Sequence, residues 1–457
     1  VYKEVSMSLM KSISGIRGVV GESFTPDLIT RVAMAFARHI HGGNVIVGRD
    51  SRITGQQIAQ CFESVLSLCG CQVIDIGVVP TPTVQIMVEH TKAKGGVVIS
   101  ASHNPIQWNA FKLINATGSF FGPDEMNTFL SLVDTITPFG AKWNAIKPVM
   151  CDSSAANVHI EKVLAAIDVA AIKKRKFTVV LDSVNGAGSL ITQELLKKLG
   201  CRVIPIHCDM TTGTFPRGAE PVAQNLKALS KAVKEHKADI GFAQDPDADR
   251  LAIVNEKGNP IGEELTVTLA ALRCLAKKKG PVVVNMSTTK AIEDVALQFG
   301  VPVYRSKVGE IHVVEAMKQY RAVIGGEGNG GVISPEVHYG RDSLVGIGYC
   351  LELMAHRKEP ISQIVASLPA YYMHKDVMNI SGEFDTGTIA QKIKEQYTGE
   401  VINTLDGIRI DFVQHEAFQG GWVHLRPSNT EPIFRIIAEG KSKKQCEAIV
   451  NTFKTMK

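Results

Sequence analysis

One pattern recurs three times and limits the fold more than any other. Asn44-Val45-Ile46-Val47-Gly48 reads as a strand, and a helical stretch follows with Ile58, Phe62, Val65 and Leu66 at helical spacing. That stretch stops at Gly70, and a second strand runs over 72–77. The same succession starts again at 178–182, passes the turn Asn185-Gly186-Ala187-Gly188 and a helix closing on Gly200, and enters a strand over 201–206. A third copy runs from 281–284 through a helix ending at Phe299-Gly300 into 301–304. In each copy the helix hands over to the strand at glycine, the residue expected beyond a helix C-terminus. Strand–helix–strand units a hundred residues or more apart predict three related α/β domains.

The C-terminal part differs. Two apolar runs, Trp422-Val423-His424-Leu425 and Ile433-Phe434-Arg435-Ile436-Ile437-Ala438, flank a polar turn, and a helical pattern covers 443–453. This predicts an antiparallel hairpin in a smaller α+β domain. A chain of 457 residues has room for three or four domains. The expected units are 1–150, 151–256, 257–368 and 369–457. No long low-complexity linker separates them, so they are expected to pack closely around a shared cleft.

Composition narrows the class. The net charge of +5 is small for this length, and the basic clusters at 173–176 and 277–279 are short. Without a basic stripe or stacking aromatics, nucleic-acid binding is not expected. A mild positive balance suits an anionic small molecule. The nine cysteines lack a CxxC pair, the pattern of reduced thiols in a cytoplasmic protein. No membrane span or signal peptide is expected.

Four polar stretches carry candidate chemistry. Ser100-Ala101-Ser102-His103-Asn104-Pro105 follows the apolar run 95–99, which places Ser102 on a turn at a strand end, where α/β sheets collect ligands. Asp245-Pro246-Asp247-Ala248-Asp249-Arg250 alternates three carboxylates that can converge on one hard cation. An EF-hand is the competitor, since Asp245, Asp247, Asp249 and Glu256 fall at its positions one, three, five and twelve. Its sixth position needs glycine, and Arg250 stands there. Both flanks, 240–243 and 251–254, also read as strands rather than helices. Mg²⁺ shared with a phosphate is the better fit, with Arg250 beside it. Gly325-Gly326-Glu327-Gly328-Asn329-Gly330-Gly331 reads as a loop after a strand over 322–324. Glu327 and Asn329 alternate, so both can face one way and grip vicinal hydroxyls. Finally, Arg426-Pro427-Ser428-Asn429-Thr430-Glu431-Pro432 offers a cation, hydroxyls and backbone N–H groups for a phosphate. Arg17, between Gly15 and Gly18, can bind phosphate as well.

Taken in order, these stretches resemble the α-D-phosphohexomutase superfamily, the phosphoglucomutase, phosphomannomutase and phosphoglucosamine mutase type. The resemblance spans essentially the whole chain. It rests on Ser-Ile-Ser-Gly-Ile-Arg-Gly at 12–18, the Ser102 and Asp245–Arg250 motifs, Gly-Glu-Gly-Asn-Gly at 326–330 and the Arg426 motif. It implies a heart-shaped protein of four domains, with one loop from each meeting in a central cleft. Ser102 is implied to be a phosphoserine. Asp245, Asp247 and Asp249 are implied to hold Mg²⁺, with Ser102 completing the site. Lys112 is implied as the acid/base, with Arg17 and His103 as further catalytic residues. Lys307, Glu327, Asn329, Arg250, Arg426, Ser428, Asn429 and Thr430 are implied to bind substrate. Asn329 stands where many relatives carry serine, and Gly331 where several carry histidine. No motif gives nearby His338 that role.

The activity implied is reversible phosphoryl transfer between the 1- and 6-positions of a glucosamine, mannose or glucose phosphate. A hexose 1,6-bisphosphate serves as intermediate and activator. A monomer or homodimer is expected. The rival readings are a metal-dependent sugar-phosphate phosphatase and a non-catalytic sugar-phosphate sensor.

Overall fold

A computed structural model describes residues 9–379, 386–427 and 433–454. The chain forms four sheets with helices packed against them. The first three sheets share one arrangement. A first strand lies between two parallel partners: Asn44–Arg49 between Gln72–Val78 and Gly95–Ile99, Thr178–Asp182 between Arg202–Ile206 and Ile240–Gln244, and Val282–Asn285 between Val303–Ser306 and Ile324–Glu327. The last of these then turns back into an antiparallel strand: Trp108–Asn115, Leu251–Asn255 or Gly331–Ser334. The three expected strand–helix–strand units are therefore present and alike in topology. The first sheet gains Met10–Ser12, Gly15–Val19 and Met150–Cys151, and the third gains His338–Arg341.

This topology follows from apolar continuity. Val45-Ile46-Val47, Val179-Val180-Leu181 and Val282-Val283-Val284 are fully buried, as parallel strands covered on both faces require. Glycine sets the closest approach. A Cβ on Gly96 would lie 2.6 Å from Val88 Cγ2, so the helix Thr81–Thr91 rides directly on the strand. The fourth sheet is antiparallel, in the order Tyr372–Asn379, Ile433–Gly440, Trp422–Pro427, Ile408–Asp411 and Val401–Asn403, with the helix Lys443–Lys454 against it. It is the expected α+β unit.

One element departs from expectation. The strand predicted over 322–324 is instead Ile324–Glu327, and it runs on through the glycines into a hairpin. Gly325 and Gly326 make this possible. A Cβ on Gly325 would lie 2.4 Å from Met317 Sδ, and one on Gly326 would lie 2.2 Å from the Gly331 carbonyl oxygen. The expected glycine loop thus shrinks to 328–330. It now occupies the same place as the other two motif loops, the turn between the third strand and the antiparallel fourth.

The sheets are joined by buried polar contacts. Thr83 Oγ1 meets His159 Nδ1 at 2.8 Å, and His159 Nε2 meets Asp342 Oδ2 at 2.8 Å. These link Thr81–Thr91, the helix Ala155–Ala166 and the start of the helix Ser343–Arg357. No described helix is long and apolar enough to cross a membrane.

Glu63, on the helix Gly55–Leu68, is buried, and its Oε1 meets no hydrogen-bond donor among the described residues. Burial, then Asp75, pushes its carboxyl up to about 7. A carboxyl raised in the folded state favours folding below its unfolded value and loses that contribution as pH rises through about 7. Glu63→Gln is therefore expected to raise the thermal midpoint at pH 8 relative to wild type and to change it little at pH 4. Equal shifts at both pH values would show that Glu63 is not strained.

Candidate active site

Ser102 adopts a left-handed conformation, φ 49°. That costs a non-glycine residue about 1–3 kcal/mol, so the surroundings must impose it. Arg52 does so. Its guanidinium donates to the carbonyl oxygens of Ser102 at 2.6 Å, Asn104 at 2.8 Å and Pro105 at 2.6 Å. Asp50 holds Arg52 through Nε at 3.0 Å and also accepts from Ser100 Oγ at 2.7 Å, and Ser100 Oγ accepts from the Ser102 amide at 2.9 Å. The loop is thus clamped from beneath by an ion pair.

The clamp aims Ser102 at the second sheet. Its Oγ donates to Asp245 Oδ2 at 3.0 Å, across 143 residues of chain. His103 Nδ1 lies 3.4 Å from Ser102 Oγ. Nearby Arg250, burial and then Arg17 hold His103 well below its ordinary value, so its imidazole is neutral at pH 7. Arg17 Nη1 donates to Asn104 Oδ1 at 2.9 Å, which ties the N-terminal Gly15–Val19 strand to the serine turn.

Asp245, Asp247 and Asp249 are fully buried, and one ligand oxygen from each lies within 4.8 Å of the others. Their partners fall in a pattern. Asp247 Oδ2 accepts from Thr81 Oγ1 and Lys112 Nζ, and Asp249 Oδ2 accepts from Arg341 Nη2 at 2.6 Å. The Oδ1 atoms of Asp247 and Asp249 meet no hydrogen-bond donor among the described residues. Buried carboxylate oxygens without donors are the oxygens a hard cation takes. Burial, then Asp249 and Asp247, pushes the Asp245 carboxyl well above the usual carboxylate range. Burial acts the same way on Asp247, but Lys112, together with hydrogen bonds from Thr81 and Asp245, holds that carboxyl well below the range. The donor set fits a divalent cation. The flanks are the strands Ile240–Gln244 and Leu251–Asn255, so this is not an EF-hand.

The Glu327 hairpin arrives from the third sheet. Glu327 Oε1 accepts from Asn285 Nδ2 at 2.8 Å and the Gly309 amide at 2.9 Å, and Oε2 accepts from Arg341 Nη1 at 2.5 Å. Asn329 Nδ2 is 3.4 Å from Oε2. The two side chains do share a side, but Glu327 is turned inward and saturated by protein donors, while Asn329 stays half-buried. The cause is Arg341, whose position no local pattern reveals. His338 is buried, with Nε2 3.3 Å from Asp342 Oδ2 in the joint between the sheets.

Lys307 is exposed on the turn that follows Val303–Ser306. The next amide, Val308 N–H, donates to Asp406 Oδ2 at 2.8 Å, and Asp406 Oδ1 accepts from Arg426 Nε at 3.1 Å. One carboxylate of the fourth sheet thus binds Arg426 to the turn carrying Lys307. Arg250 is buried, with Nη1 on Glu220 Oε1 at 3.0 Å and Nε 3.8 Å from Asp249 Oδ1. Ser428, Asn429 and Thr430 lie outside the described residues.

Comparison with known proteins bears on this arrangement. Four models of the phosphoglucomutase/phosphomannomutase family match in succession: alpha/beta/alpha domain I over 10–138, domain II over 157–258, domain III over 262–372 and the C-terminal domain over 381–455. A "Phosphoglucomutase/phosphomannomutase" of Thermococcus kodakarensis is 37% identical over 440 residues, 94% of each chain. The chain is an α-D-phosphohexomutase. A Methanopyrus kandleri relative named "Probable phosphoglucosamine mutase" is 34% identical over 96% of each chain. A solved phosphoglucomutase/phosphomannomutase family protein from Burkholderia thailandensis has the same fold, with a TM-score of 0.83 over 97% of each chain at 24% identity. As a phosphohexomutase the protein is an isomerase acting on hexose phosphates.

Four residues of this phosphohexomutase escape a reading of its sequence: Arg52, Thr81, Arg341 and Asp406. Arg52 lay in view as part of Arg49-Asp50-Ser51-Arg52, an unusually charged strand end. Arg52→Met strips donors from three carbonyl oxygens and leaves Asp50 buried and unpaired. It is expected to destabilise the protein by about 3–5 kcal/mol, read by denaturant unfolding, and to lower mutase turnover. An unchanged unfolding curve would mean that the serine turn is held by something else.

Proposed function

We propose that the protein moves a phosphoryl group reversibly between the 1- and 6-oxygens of a hexose phosphate by way of phospho-Ser102. The observation that carries this reading is the hydrogen bond from Ser102 Oγ to Asp245, which joins the serine turn to the acidic turn. A hydroxyl of the sugar attacks phosphorus on Ser102, the P–Oγ bond breaks, and a hexose 1,6-bisphosphate forms. The bisphosphate turns over in the cleft, and its other phosphate returns to Ser102. Lys112, an ammonium against Asp247 and 3.6 Å from Asp249 Oδ2, is the candidate acid/base: it gives a proton to Ser102 Oγ as the P–Oγ bond breaks and regains one from the attacking hydroxyl. Arg17 and His103 flank the transferred group.

Asp245, Asp247 and Asp249 would hold Mg²⁺, with a phosphate oxygen on Ser102. The ion supplies charge neutralisation at the transferring phosphate. Asn329, half-buried at the tip of the hairpin, contacts the sugar hydroxyls, and Glu327 would reach them only by giving up one of its protein donors. Arg250, Lys307, Arg426, Ser428, Asn429 and Thr430 hold the phosphate that does not react. Positioning by several loops at once supplies much of the rate. Glucose, mannose and glucosamine phosphates are the substrates to compare, because similar proteins carry names drawn from all three. The domain limits 1–150, 151–256, 257–368 and 369–457 give each unit one of the four loops.

Ser102→Ala is expected to abolish mutase turnover and leave the circular dichroism spectrum unchanged. Phosphorus NMR with each hexose 1-phosphate, Mg²⁺ and a trace of hexose 1,6-bisphosphate follows the 6-phosphate signal. Retained turnover would remove Ser102 from the reaction, and free phosphate as the main product would make the protein a phosphatase. Asp247→Asn is expected to lower Mg²⁺ affinity and turnover together. Calorimetry showing unchanged affinity would take Asp247 out of the cation site.

A further inference from the structure

Arg341 sits where the acidic turn and the Glu327 hairpin meet. It ends the strand His338–Arg341, opposite Ile333, so Gly331 is its diagonal neighbour on the same face. The stem of Arg341 crosses Gly331 closely. A Cβ there would lie 2.3 Å from Arg341 Cδ and 2.9 Å from Cγ. The missing side chain is what lets the guanidinium through. Beyond it, Arg341 donates to three carboxylates from three segments: Asp249 Oδ2 at 2.6 Å, Glu327 Oε2 at 2.5 Å and Glu310 Oε2 at 3.1 Å. Glu310 is anchored in turn, since its Oε1 accepts from Gln85 Nε2 at 3.0 Å.

We propose that Arg341 is a positioning residue that couples cation binding at the acidic turn to sugar-phosphate binding at the Glu327 hairpin. The inference rests on the function proposed above, because it needs both sites. Arg341 occupies Asp249 Oδ2 and leaves Oδ1, the oxygen without a donor, to face the ion. A divalent cation on Oδ1 draws charge from the Asp249–Arg341 pair. The guanidinium then binds Glu327 more strongly. Glu327 Oε2 also lies 3.4 Å from Asn329 Nδ2, so the tip of the hairpin is fixed with it. Cation binding therefore favours the sugar-binding arrangement, and by linkage the sugar phosphate tightens the cation equally.

Two substitutions separate coupling from simple damage. Arg341→Lys keeps the charge and loses the planar fork that reaches three carboxylates at once. Gly331→Ala keeps every charge and pushes the Arg341 stem aside; its backbone is not in the left-handed region, so alanine adds no φ strain. The probe is Mn²⁺, its free concentration followed by electron paramagnetic resonance. Enzyme without phosphate on Ser102 is titrated with and without saturating glucose, mannose or glucosamine 1-phosphate, whichever wild type turns over. The ratio of the two Mn²⁺ dissociation constants is the coupling. Wild type is expected to show a ratio of roughly fivefold or more. Both variants are expected to reduce it at least about threefold, with near-ultraviolet circular dichroism confirming the fold. A residue of merely structural importance would weaken both affinities and leave their ratio alone. An unchanged ratio in the folded variants overturns the coupling and leaves the mutase reading intact. No Mn²⁺ binding by wild type overturns the cation site and the coupling with it.

Discussion

Three carboxylates on one turn repel one another, and burial deepens the repulsion. Asp245, Asp247 and Asp249 are held together regardless, and much of the surrounding structure answers that demand. Lys112 comes from the first sheet to Asp247, Arg341 from the third to Asp249, and Thr81 adds a hydroxyl. The acidic turn is therefore assembled by the whole protein rather than by its own sheet. Removing any one of these donors leaves a buried charge short of a partner, which is far costlier than losing a surface ion pair.

Much of this was legible in the chain itself. The repeated strand–helix–strand pattern foretells three sheets because parallel strands buried on both faces must be apolar along their whole length. The acidic motif foretells a strand on each side because 240–243 and 251–254 carry no helical period. The C-terminal hairpin follows from two apolar runs around a turn. The extent of the Glu327 strand was hidden, because consecutive glycines look like a loop until the helix residue Met317 and the partner strand show why no side chain fits.

The donors that set the site were harder to see. Arg341 and Asp406 each sit in an ordinary local pattern, and Arg52, although in a charged strand end, clamps carbonyl oxygens 50 or more residues away. Arg341 meets Asp249 across 92 positions, and Asp406 meets Val308 across 98. No periodicity carries such a contact. The one trace of Arg341 in the sequence is Gly331, whose lack of a side chain leaves room for the arginine stem. The opposite lesson comes from His338, which lay close to the sugar motif in sequence and belongs instead to the buried joint with His159 and Asp342.

The shared topology of the first three sheets has a consequence for how such a protein arises. Serine, acidic triad and Glu327 stand at one and the same address, the turn from a third strand into an antiparallel fourth. Copying a single four-strand unit twice is enough to place three turns around one space. In the function proposed above, rewriting each turn would then divide the labour among nucleophile, cation and sugar without altering the scaffold. The asymmetry that the reaction demands is confined to a handful of residues per copy.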